Sequence, residues 1–282
     1  MFRMTLVVIW LAVAAVAAFQ GMEYYLLPLQ ERPFTADHEL LASWGAVGHG
    51  YGVVGTALMI LGVLSYSVRK RVGSLGRLGK LKSWLEFHIF LCTLGPFLIL
   101  LHTAFRVGGL VAVAFWSMVL VVASGVFGRY LYVRIPKTIH GHFLSLEALE
   151  ARRDETLQGL QSRLQVSETQ VAELIRRFQP PRPKGAFSSL LVAVRWDLAR
   201  KRVEGELRRA LLELSGAEEE PEDLLGLLRE EGRREIQIAL LHPFQRLFRY
   251  WHVFHLPLAI VMFLILAVHV TVAILFGYAW LF

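Results

Sequence analysis

Four histidines hold most of the chemistry open to this chain. His88 closes the motif Trp84-Leu-Glu-Phe87-His88, and His255 closes Trp251-His-Val-Phe254-His255. Each is followed fourteen residues later by a second histidine, His102 and His269 respectively. Neutral imidazole is the commonest side-chain ligand for metals. Fourteen residues make nearly four helical turns, so both imidazoles of one helix share a face. At ~1.5 Å rise per residue they stand about 21 Å apart along the axis. Two such helices side by side present two facing pairs, His88 with His255 and His102 with His269. Zinc suits this poorly, because a closed site wants four convergent ligands. Haem iron takes one axial imidazole on each face, and the pairs supply that. A lone intramembrane histidine is explained by a helix–helix hydrogen bond; four at matched spacing point to two bis-histidine haem sites. The alternative from another class is a haem-free transporter or proton channel that uses the histidines as a relay.

His252 competes with His255 as ligand, but it lies seventeen residues from His269 and breaks the match. It suits a propionate or quinone contact at the interface. Glycines follow the same period as the histidines. Gly48, Gly55 and Gly62 recur at seven-residue steps, close to one helix face. A broad flat plate passing a helix needs positions without side chains. Gly95 lies midway between His88 and His102, and Ala114 and Gly128 are again fourteen apart, with Gly125 a turn away. Ordinary small-residue packing between membrane helices is the plainer account, but it leaves the shared period unexplained.

The elements that must position these residues are membrane helices. Hydrophobic residues make up 55% of the 282 positions, and mean hydropathy is +0.48, above the usual range for a water-soluble domain. Apolar stretches cover residues 4–19 (extending to 27), 44–68, 84–107, 110–133 and 254–280. The last four reach the ~20 residues that span a bilayer. The first, residues 1–27, reads either as an anchor helix or as a signal peptide, since Met1-Phe-Arg3 and the small residues Val16, Ala17 and Ala18 fit both.

Charge orients the bundle. The loop at 69–82 holds Arg69, Lys70, Arg71, Arg77, Lys80 and Lys82 with no acid, whereas Glu23, Glu31, Asp37 and Glu39 precede the second helix against Arg32 alone. Short basic loops stay in the cytoplasm. The second helix therefore runs inward, the third outward to a turn at Gly108-Gly109, and the fourth inward again. Residues 134–250 are then cytoplasmic, His88 and His255 form the inner pair, and His102 and His269 the outer. This describes a multi-pass protein of a bacterial cytoplasmic membrane, with a cytoplasmic N-terminus and a periplasmic C-terminus. The net charge of +7 fits an anionic inner leaflet and implies no nucleic acid. The single cysteine, Cys92, and the lack of any C-x-x-C-H exclude covalent haem, cysteine-ligated clusters and disulfides.

Residues 134–250 are a different material, with near-balanced charge. Helical spacing runs over 144–164, Ser167-Glu-Thr-Gln170 reads as a capping box opening a stretch to 178, and prolines at 180–183 break the chain. Helix resumes over 187–214. The acidic run 218–223 leads into a last helix that should stop before Pro243. The expectation is a cytoplasmic helical hairpin, serving as a connector or as a docking platform for a redox partner. A third reading makes the chain a membrane anchor for that hairpin.

Further residues take provisional roles. Arg106, a turn after His102, could pair with haem propionates or anchor the interface. Arg129, Arg246 and Arg249 stand near the inner level. Trp84 and Trp251 fit an interfacial belt or stack beside the inner haem. His49, next to Gly48, is a third ligand, a quinone hydrogen bond or a packing histidine. His140 and His142 follow Arg134 and face solvent just inside the membrane.

With these residues in place the chain resembles the membrane diheme cytochromes b, in particular the haem-binding half of the cytochrome b of cytochrome bc complexes. Two helices of that four-helix bundle carry histidine pairs and the other two carry glycine pairs. His88, His102, His255 and His269 match the ligands, Gly48 and Gly62 match one glycine pair, and Ala114 with Gly128 matches the other loosely. The likeness covers the second to fifth helices. No Pro-Glu-Trp-Tyr motif and no second membrane domain are present, and the orientation and the insertion differ. The apolar stretches divide the chain into an anchor helix at 1–27, helices two to four at 40–133, the insertion at 134–250 and helix five at 251–282, and the resemblance implies that helices two to five form an all-α integral membrane bundle. It implies two non-covalent b-type haems and electron transfer across the lipid bilayer between a membrane quinone pool and an iron–sulfur, flavin or multihaem subunit of a complex.

Overall fold

The computed structural model describes residues 2–135, 151, 158, 185–215 and 222–276. The helices expected over 144–164 and 167–178, the proline break at 180–183, His140, His142 and residues 218–221 of the acidic run lie outside the described residues. Among those described, every regular element is helical and none is a strand. The chain divides into two compact units, one of Met1–Val126 with Phe254–Phe282, the other of Phe127–Val253.

The helices are α1 (Phe2–Leu26), α2 (His38–Leu41), α3 (Ala46–Arg71), α4 (Leu81–His102), α5 (Gly109–Arg134), α6 (Ala186–Ser215) and α7 (Glu222–Leu275). Five segments are long and apolar enough to cross a membrane: Phe2–Leu26, His38–Arg71, Leu81–His102, Val111–Arg134 and Gln237–Leu275. In hydrocarbon every backbone polar group must bond internally, and a helix does this within one segment. Large apolar side chains stay on the outside, with Phe19 84%, Leu264 62% and Val126 64% exposed. Such faces suit lipid.

Two expectations about helix ends change. The apolar run 84–107 is helical only as far as His102. Ala104 and Phe105 take the left-handed conformation at φ 45° and 60°, which ends the α-helical ladder. The last helix also does not stop before Pro243. It runs unbroken from Glu222 to Leu275 as one 54-residue helix. A proline inside a helix removes one hydrogen bond and costs about 3 kcal/mol. Here Leu240, Leu241 and Phe244 beside it are 4%, 2% and 1% exposed. Burying each such side chain contributes roughly 1.5–3 kcal/mol, which outweighs the break.

In the first unit α3 and α4 form the tightest pair. Their seam is made by glycines. A Cβ on Gly55 would lie 2.7 Å from the Gly95 carbonyl oxygen, and one on Gly95 would lie 2.6 Å from that of Gly55. The bare backbones therefore touch. Helix α1 lies against α4, with the Trp10 and Phe97 rings 5.5 Å apart. Met59, Met118 and Met262 from α3, α5 and α7 meet in an apolar cluster with Ile99, Phe115 and Phe263.

The second unit has its own core of Leu131, Ile135, Ala193, Leu240, Leu241 and Phe244. Ser189 is fully buried there and donates to the Gly185 carbonyl at 2.7 Å, which satisfies its hydroxyl. Arg134 pairs with Asp197 and lies 3.6 Å from the Tyr130 ring centroid.

Candidate functional site

Three of the four spaced imidazoles lie against a polar partner on a neighbouring helix. His88 Nδ1 donates to the Gly62 carbonyl at 3.0 Å, and His102 Nδ1 donates to the Gly48 carbonyl at 2.9 Å. A carbonyl can only accept, so both protons sit on Nδ1 and each Nε2 keeps its lone pair. The two acceptors are fourteen residues apart on α3, as the two donors are on α4. The shared period thus has a direct cause in hydrogen bonding between antiparallel helices. Gly52 completes the His102 contact, because a Cβ there would lie 2.8 Å from His102 Nδ1. Beside His88 stand the Tyr66 ring, 5.5 Å away between centroids, and the Cys92 thiol, 3.5 Å from Nδ1.

On the other side of the unit, His255 Nδ1 lies 2.7 Å from Ser124 Oγ. The same hydroxyl donates to the Val121 carbonyl at 2.9 Å, so one side chain of α5 bridges its own backbone and the imidazole. Gly125 lies on this flank, where a Cβ would make ordinary contact with the imidazole at 3.8 Å. His252 is exposed while His255 is half-buried.

Around His102 the structure gathers two further histidines. The His49 and His102 rings lie 6.1 Å apart, inclined at 68°, and His269 lies in the neighbourhood of both. Among the described residues no three His, Cys, Asp or Glu side chains converge into a metal cage. The provisional residues have settled positions. Trp84 Nε1 donates to the Leu78 carbonyl at 2.7 Å and holds the basic loop. Trp251 packs on the second unit's core, close over Gly128. Arg106 is exposed.

No protein-family model, curated protein or solved structure matches this chain.

The glycines let backbone and side chains approach closely. The space over Gly48 is taken by the Leu41 and Ala42 carbonyls, that over Gly62 by Cys92 Sγ and Leu91 Cβ, and Gly55 and Gly95 fill each other's. Sequence reasoning missed Ser124, Tyr66 and Gly52. Gly52 is one turn from Gly48 and was open to a spacing argument. Ser124 lies 131 residues from His255, and nothing local signals it.

Proposed function

We propose that this chain is the membrane-embedded diheme cytochrome b subunit of an oxidoreductase complex, passing electrons across the bilayer between a quinone pool and a partner redox subunit. One observation carries the reading. Two of the four spaced histidines, His88 and His102, commit Nδ1 to a backbone carbonyl, and a third, His255, holds Nδ1 against the Ser124 hydroxyl; in a neutral ring whose Nδ1 donates, Nε2 carries the lone pair. That is the arrangement of a metal-bound histidine, whose other ring nitrogen is tied to a carbonyl, hydroxyl or carboxylate. The donor set therefore fits a bis-imidazole group.

His88 and His255 would hold the inner haem, and His102 and His269 the outer one. When bound, haem supplies the reversible one-electron chemistry that side chains lack. The chain's own part is to bind, orient and insulate. Gly62, Gly48 and Ser124 fix the ring planes. Gly95 and Met262 each lie seven residues from both histidines of their helix, so an apolar, thioether-lined layer separates the two levels and excludes water. Arg106 serves the outer propionates at the surface. The partners are the lipid bilayer, a membrane quinone and an iron–sulfur, flavin or multihaem subunit docking on cytoplasmic residues 134–250. The membrane is a bacterial cytoplasmic one, with the basic loop 69–82 inside.

The approach of His49 to His102 favours one other reading, a haem-free proton relay through the outer imidazoles. A dithionite-reduced minus oxidised spectrum with pyridine haemochrome counting separates them. Two b-type haems per purified chain are expected. Folded, haem-free protein from haem-sufficient cells would sink the cytochrome and favour the relay.

A further inference from the structure

Away from the imidazoles, the polar group that stands out is Arg32. It is 5% exposed, and among the described residues no carboxylate pairs with it. Its guanidinium instead bonds three carbonyl oxygens. Nε donates to Leu27 at 3.0 Å and Nη2 to Tyr25 at 2.8 Å, both at the end of α1, while Nη1 donates to Ala104 just beyond α4. The Tyr24 ring faces the cation, 5.4 Å from its centroid. Burying a cation without a counter-charge is costly, so the arrangement calls for a reason.

Ala104 supplies one. It is 2% exposed, two residues after His102, and with Phe105 it holds the left-handed backbone that side-chain-bearing residues avoid. Such backbone persists only where its surroundings over-determine it. Carbonyls at a helix C-terminus carry partial negative charge, and a planar guanidinium can bond several of them at once where a lysine cannot.

We infer that Arg32 is the positioning residue for the outer ligand His102. It ties the left-handed turn that ends α4 to the end of α1, and so fixes where the imidazole meets the Gly48 carbonyl. The inference rests on the haem reading above.

The test uses the full chain purified in lipid, as wild type, Arg32→Met, and Arg32→Met combined with Ala104→Gly. The readouts are haem per chain and the redox-poised signal of the outer haem, identified as the signal that His102→Ala removes. Arg32→Met should weaken outer-haem binding about ten-fold, as losing a supporting partner does, with the inner haem retained as internal proof of folding. Adding Ala104→Gly should restore at least half of the lost occupancy, because glycine takes positive φ without strain. An untouched outer haem, equal loss of both haems, or a double variant no better than the single would each overturn the assignment. Haem-free wild type would overturn the cytochrome reading and this inference together.

Discussion

An imidazole ligand is only as good as the group that holds its other nitrogen, and that governs the residue scale here. His88→Ala or His255→Ala should remove the inner haem and spare the outer one, and His102→Ala or His269→Ala should do the reverse, read by haem counting and redox titration. His252→Ala should leave the low-spin spectrum intact; loss of the inner haem in that variant would mean that the chosen register is wrong. Ser124→Ala tests the supporting bond. It removes the hydroxyl 2.7 Å from His255 Nδ1, and inner-haem affinity should fall about ten-fold without change at the outer centre. An unchanged haem dissociation rate would count against that bond.

At the scale of elements, the α3–α4 seam is the most closely packed part of the first unit, and it places His88 and His102 at once. Gly55→Ala would push a Cβ to 2.7 Å from the Gly95 carbonyl oxygen and 2.9 Å from Ile99 Cγ1. Backbone cannot yield as a side-chain tip does, so the variant should lose about 1–3 kcal/mol of stability, measured as a shift of the unfolding midpoint in mixed micelles. Gly73→Ala meets nothing within 4 Å and should match wild type in the same assay. Equal midpoints for the two variants would show that the seam tolerates separation.

At the scale of the whole molecule, each unit has its own core, so damage to one can be read separately from the other. Phe244→Ala empties a site that is 1% exposed, among Leu131, Ala193 and Leu241. The cost should be about 3–5 kcal/mol, seen as a lower melting temperature, with both haem signals intact because no ligand belongs to that core. Replacing 144–241 with a flexible linker is the harsher change. It removes Ala193, Leu240 and Leu241 and exposes Leu131, Ile135 and Phe244. Both haems should stay bound, while the chain becomes less heat-stable and exchanges electrons more slowly with its native partner. An unchanged exchange rate in the intact complex would reduce the segment to a spacer.

Periodicity and hydropathy are local properties, and they were legible in the residues themselves. The five apolar helices, the fourteen-residue spacing of His88 with His102 and of His255 with His269, and the matching glycines on α3 all follow from counting along one chain. What the neighbours do with those positions was not legible. Gly48 and Gly62 read as clearances from their spacing, and nothing in that spacing told that their carbonyls accept from His102 and His88. A membrane helix has no water-facing side to contrast with its core, because lipid and packed protein are both apolar; hydropathy therefore could not say which face of α5 would turn Ser124 toward His255. Pro243 read as a stop because the rule weighs one lost backbone bond, whereas the buried Leu240, Leu241 and Phe244 around it contribute more than that bond costs. Arg32 looked like one charge in an acidic loop. Its three carbonyl partners lie on Tyr25, Leu27 and Ala104, the last of them seventy-two residues along the chain, and only folding brings that carbonyl to it.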